Sequence, residues 1–216
     1  MTISDTTRDQ MRALAVQYPR ARSAVMPMLH LAQSDEGEVT GEAMAAIAEI
    51  LGISAAEVTA VASFYTMYKR RPVGEHHIGV CVNTMCGLLG GDAVYQAVSE
   101  RLGVGHDQGT PDGKFWLERI ECQAACTHAP VMTVDWEFMD DVTVSSAVDV
   151  IDRLAAGEPV ASTRGPRIRN FAETERTLAL VDYSLAGEGE CVDDKMLAGL
   201  RIAKERGMQA PAVGEG

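Results

Sequence analysis

Two short cysteine pairs, Cys81-x4-Cys86 and Cys122-x3-Cys126, constrain this chain more than any other feature of its sequence. Each pair leaves the end of a stretch that reads as a β-strand. The residues between the pairs, 87–121, are enough for a whole helix and a second strand, so the thiols are mounted on a finished domain and are not its only staple. Two loops at one end of a sheet bring four thiolates together. Three chemistries use such a set. A structural zinc site closes four thiolates around one ion. A [2Fe-2S] centre divides them two per iron. Disulfide or redox-thiol chemistry favours C-x-x-C spacing or a secreted chain, and neither is present. Spacing alone ranks iron-sulfur first and leaves the other two open.

The motifs around the thiols go further. The run Cys81-x4-Cys86-x-Leu88-x-Gly90 is followed by Glu121-Cys122-x3-Cys126-x2-Ala129-Pro130 and preceded by Ala62-Ser-Phe-Tyr-Thr-Met-Tyr68. In that order, over about residues 20 to 157, they resemble the thioredoxin-like [2Fe-2S] subunit of bacterial NADH:quinone oxidoreductase, respiratory complex I. The resemblance implies that Cys81, Cys86, Cys122 and Cys126 are iron ligands of a one-electron carrier, and that the chain has no catalytic residue of its own. It implies two partners: a flavoprotein subunit that binds FMN and NADH, and the multi-cluster iron-sulfur subunit. It also implies a cytoplasmic place, peripheral to the inner face of the cell membrane. Related modules occur in NAD-linked hydrogenases and formate dehydrogenases. The reading of another class is a zinc-stabilised interaction module.

Two positions depart from the family's usual Cys-Leu-Gly-Ala-Cys loop. Ala124 stands where glycine is usual, so either that position does not need positive φ or the loop bends differently. Gln123 brings an amide where leucine is usual, and a donor near a bridging sulfur would raise the reduction potential.

The rest of the chain fits this frame. With 46% hydrophobic and 23% charged residues the composition is that of a soluble protein, and no apolar run approaches the roughly 20 residues of a membrane span. The N-terminus lacks a secretory signal pattern. A net charge of -12 argues against nucleic acid as a partner. Residues 1–72 read as a helical bundle: helices from Asp5 to about Gln17, through Met26 to near Gly37 with Pro27 in its first turn, from Gly41 to Leu51, and from Ser54, a capping-box residue, onward. Phe64, Tyr65, Met67 and Tyr68 read as packing between bundle and ferredoxin domain. His30, His76 and His77 read as packing or surface residues, and Lys69-Arg-Arg-Pro72 as a solvated joint.

Residues 73–157 read as strand (76–80), helix (92–102), strand (115–120), hairpin (131–144) and helix (145–155), the β-α-β then β-β-α order of a thioredoxin-like core. Gly87, Gly90 and Gly91 would let backbone N–H groups approach the cluster. Ala129-Pro130 sits where such folds often carry a cis proline. The fold class is therefore α+β, with a C-terminal extension, 158–216, without sustained periodicity until a helix from Val192 to Arg206. Phe171, Leu178 and Leu180 are more apolar than a solvating tail needs, so the extension reads as an arm that wraps a partner. Cys191 lies in it alone and reads as a surface or interface thiol.

Overall fold

The computed structural model describes residues 3–182 and 192–209. Its helical part begins and ends at recognisable caps. Ser4 accepts from Thr7 N–H to open α1 (Asp5–Ala15). A 3-10 turn, Ala21–Ala24, feeds α2 (Val25–Glu36), whose first turn takes Pro27, where an N–H has no helical partner to lose. Gly37, at φ 74°, ends that helix. Thr40 caps α3 (Gly41–Leu51), and a reciprocal Ser54–Glu57 box opens α4 (Ala55–Phe64). The apolar stripes of these helices meet in a core of Met11, Leu14, Met28, Leu29, Leu31, Ile47 and Val58, all fully buried.

The second part is a five-stranded sheet in the order β2-β3-β1-β4-β5. Strand β1 (His76–Cys81) runs parallel to β3 (Phe115–Ile120), with Cys81 opposite Ile120, and antiparallel to β4 (Met132–Val134). β5 (Glu137–Met139) completes the hairpin, and the two-residue β2 (Gln108–Gly109) pairs with the other edge of β3. Helix α5 (Thr84–Leu88) and helix α6 (Gly91–Leu102) cross over from β1 to β3, and α7 (Val144–Ala155) packs beside α6. Ile78, Val98, Leu117, Met132, Val134 and Ile151 fill the space between sheet and helices. The expected β-α-β, β-β-α order is present; α5 and β2 are additions too short for a periodicity to reveal. The Ala129–Pro130 bond is cis.

The first half of the extension turns back onto the chain itself. An Asn170–Glu173 box opens α8 (Phe171–Leu178), which lies along α2, and Phe171 is buried among Val73, Trp116 and Trp136. Helix α9 (Asp194–Glu205) rests near the Cys126–His128 turn with none of its residues buried. Cys191 lies outside the described residues.

Between bundle and sheet lies a layer of buried, hydrogen-bonded polar pairs. Glu175 of α8 is completely buried; its carboxylate is 2.6 Å from His30 Nδ1 and accepts from Trp136 Nε1 at 2.9 Å. His76 Nδ1 lies 2.6 Å from Asp135, which also accepts from the His77 N–H. Glu118 bonds both His77 Nε2 and the Lys69 ammonium. The three histidines thus pack as expected, but Lys69 does not behave as a solvated joint: it is 6% exposed and committed to Glu118. Tyr68 is buried and Met67 half-buried in the bundle, whereas Phe64 and Tyr65 are not covered, 77% and 39% exposed.

This layer carries a pH signature. Burial pushes the Asp135 carboxyl up to about 6, against the opposing pull of His76. Between about pH 4 and pH 6 the folded chain therefore keeps a proton that the unfolded chain has released, and this group's contribution is full at low pH and lost as pH rises through its folded value. Glu118 behaves oppositely. Burial alone would raise it, but the His77 hydrogen bond and the Lys69 charge outweigh burial and hold it at about 2, so its contribution is lost only as pH falls toward that value. In urea unfolding at about pH 4.5 and pH 7, Asp135→Asn should show less loss of stability toward neutral pH than the parent chain. Equal slopes would remove Asp135 as the cause.

Candidate metal centre

Because β1 and β3 are parallel neighbours, their C-terminal ends share one edge, and the cysteine loops leave from it. Cys81 is the last residue of β1; α5 then folds the chain so that Cys86 returns toward it. The return is tight. A Cβ on Gly91 would stand 2.6 Å from the Cys81 carbonyl oxygen and 2.8 Å from that of Cys86, so only glycine lets the start of α6 press against this loop. Cys81 and Cys86 are buried, with Ile120, Ala125 and Val131 around them. Cys122 and Cys126 are exposed, their Sγ atoms 3.5 Å apart. An Asn83 Nδ2 to Glu121 Oε2 hydrogen bond of 2.8 Å ties one loop to the other, a contact between distant residues that no local pattern announces.

The thiols feel one another. Cys86 is pushed up to about 11, first by burial, then by its hydrogen bond with Cys81 and by the charges of Cys81 and Cys126, against the opposing pull of the Val131 N–H. Cys126 is raised chiefly by its hydrogen bond with Cys122, with smaller contributions from burial and from the charges of Cys122 and Cys81. Four such groups cannot all ionise without a cation among them, and a bound metal centre reverses the balance by making thiolate the favoured form. The arrangement also tests which centre fits. The sulfurs come as two pairs, one per loop, the division that two irons use.

The two departures in the second loop resolve differently. Ala124 has φ 56°, so the position does need the left-handed conformation and alanine adopts it. That conformation costs an L-residue about 1–2 kcal/mol, part of which glycine would lose again through its freer unfolded chain. Ala124→Gly should thus raise stability by about 0.5–1 kcal/mol in denaturant unfolding, with the loop's course unchanged; a loss of stability would contradict the strain. At Gln123, the amide donates to the Glu121 carbonyl at 2.8 Å, within its own loop.

A thioredoxin-like layer of sheet and helices thus brings two pairs of thiols to the ends of adjacent parallel strands. Comparison with known proteins supplies the class. The family model for the thioredoxin-like [2Fe-2S] ferredoxin matches residues 11–155. The chain belongs to that family. Among its relatives, an NADH-quinone oxidoreductase subunit of Mycobacterium tuberculosis is 47% identical over 90% of this chain and 78% of its own length. NADH-quinone oxidoreductase subunit 2 of Thermus thermophilus is 34% identical over 73% of this chain and 89% of its own. Among solved structures, an NAD+-reducing [NiFe]-hydrogenase in the air-oxidised state aligns with a TM-score of 0.55 at 19% identity. That match covers 62% of this chain and only 23% of the other, a likeness of fold alone.

Proposed function

We propose that this chain is the [2Fe-2S] subunit of an NADH:quinone oxidoreductase and that Cys81, Cys86, Cys122 and Cys126 hold its cluster. The observation that carries the reading is the meeting of two thiol pairs at one sheet edge in a chain of this family; the relatives from NADH-quinone oxidoreductases supply the assembly in which such a centre works. When bound, a cluster of this kind takes up and releases one electron at a time. The chain's own contribution is to hold and tune. The buried Cys81–Cys86 pair keeps water from one side of the site, and the Val131 N–H directed at Cys86 favours the thiolate. The exposed Cys122–Cys126 pair leaves the other side open toward a neighbouring protein of the complex.

No acid, base or nucleophile of this chain is assigned a role. NADH and FMN belong, in this reading, to a flavoprotein partner, and a multi-cluster iron-sulfur subunit lies beside both. No helix among the described residues is long and apolar enough to cross a membrane, so attachment to the inner face of the cell membrane would come through partners. The hydrogenase likeness rests on fold alone and gives no reason to prefer that destination for the electron.

The test is anaerobic iron, sulfide and zinc analysis of the chain, with low-temperature EPR after reduction, both alone and in the NADH-oxidising complex isolated through a tag on it. About two irons and two sulfides per chain and a single-spin signal are expected. One zinc without sulfide, in material prepared to preserve clusters, would overturn the electron-carrier reading. Isolation with hydrogenase subunits would redirect it.

A further inference from the structure

We infer that Phe64, Tyr65 and Arg70 form a docking surface for an acidic segment of a partner protein in the complex, which sets an apolar side chain on the two rings and a carboxylate on Arg70. The inference rests on the reading of this chain as one component of a larger assembly. Its first support is the aromatic pair. Phe64 and Tyr65 end α4 with their rings edge to face, 4.9 Å between centroids, and both are exposed. They are a rigid platform, not a loose end. Buried Val58 and Ala62 anchor the helix beneath them. The Tyr65 ring also leans on Tyr68, which is itself buried and donates its hydroxyl to the Met26 carbonyl at 3.1 Å. Fixed, solvent-facing aromatics beside an arginine have the composition of an interface hot spot.

The second support is charge. Of three consecutive cations, Lys69 is consumed by Glu118, and Arg71 lies over Trp116 while bonding Asp107. Arg70, between them, is exposed and makes no ion pair with the described residues. An uncommitted, exposed guanidinium offers a carboxylate from elsewhere a charge-assisted, bidentate hydrogen bond, while Asp107 and Glu118 in the same wall are already taken up by Arg71 and Lys69. It stands at a polar cavity of 360 Å³ that also has the Ser63 and Thr66 side chains in its wall.

The third support is continuity. That cavity shares Thr66, His106 and Glu118 with a larger cleft of 520 Å³ between bundle and sheet, whose far wall includes Gln123, next to Cys122. A segment seated on the aromatic pair therefore runs toward the exposed cysteine loop, so the same partner covers both.

The surface is tested in the full chain within its own complex. A benzoylphenylalanine placed at position 64 is activated by light in the purified complex, and the joined peptide is identified by mass spectrometry. A single partner peptide carrying at least two Asp or Glu residues near the joined position is expected. Adding Arg70→Glu to that chain should lower the yield about tenfold, and Arg70→Lys should restore most of it. Iron and sulfide are measured in the same samples, so a lost cluster bears on the proposed function and a lost cross-link bears on this surface. No cross-link in an intact complex, a joined peptide without acidic residues, or a cross-link to a second copy of this chain would each overturn the inference.

Discussion

Cys86→Ala is expected to yield a folded chain with almost no iron or sulfide, down from about two of each. The reason lies in where the four sulfurs stand. Cys86 is 3% exposed, and its loop is held by the contact between Gly91 and the carbonyls of Cys81 and Cys86, so the backbone has no freedom to offer another donor. Neither Asn83 nor Glu121 is spare, since they bond each other. The same substitution at Cys126 should lose the cluster equally while costing less stability in the metal-free chain, because Cys126 is exposed and leaves no cavity behind. Iron and sulfide assays, the visible spectrum and EPR follow the cluster; denaturant unfolding of the metal-free chains follows the packing. A Cys86→Ala chain that kept a normal iron content and spectrum would remove that residue from the ligand set.

The largest effect on stability is expected at Glu175. Alanine there leaves His30 Nδ1 and Trp136 Nε1 facing an empty, buried space in place of an acceptor, and it separates α8 from both the bundle and the sheet hairpin. Leaving a buried hydrogen-bonding group without its partner costs about 1–3 kcal/mol, and this substitution does so twice. For a chain of this size that lowers the melting temperature by on the order of 10 °C. Glu175→Gln, which keeps an oxygen for one of the two contacts, should lose about half as much. Calorimetry decides the matter, and a melting temperature within about 2 °C of the parent would show that the junction is held by apolar contacts such as Phe171 instead.

The site and the frame that carries it were legible because their signals are local. Four thiols at short spacing, strands with apolar runs before each pair, and capping residues such as Thr40, Ser54 and Glu57 all act within a few residues of themselves. Helix α8 was legible in principle, since Asn170-x-x-Glu173 is a capping box, but eight residues offer little periodicity and the surrounding prolines and glycines read as loop. The buried polar pairs at the junction were not legible at all. Nothing in Lys69-Arg-Arg-Pro72 says that its first cation is buried against Glu118, because the partner lies 49 positions away in the chain. The aromatic run misled for a related reason. Apolar residues at a helix end usually turn inward, yet the turn from α4 into the loop at Tyr65 leaves Tyr68 inside and Phe64 outside. Ala124 carries a similar lesson: its identity left open whether a glycine's freedom was needed, while its φ shows that the loop's course prevails over the residue's preference.

The contact between His30 and Glu175 spans 145 positions, which makes it a matter of timing as well as of strength. During synthesis the bundle and every strand of the sheet have left the ribosome before α8 is complete, and N-terminal units generally fold first. Until α8 arrives, the cleft that runs from His30 to Gln123 lacks one wall. The growing chain thus passes through a stage in which the thiol loops are already set on their strands while the groove beside them is incomplete, and the helix that packs after them supplies its last wall.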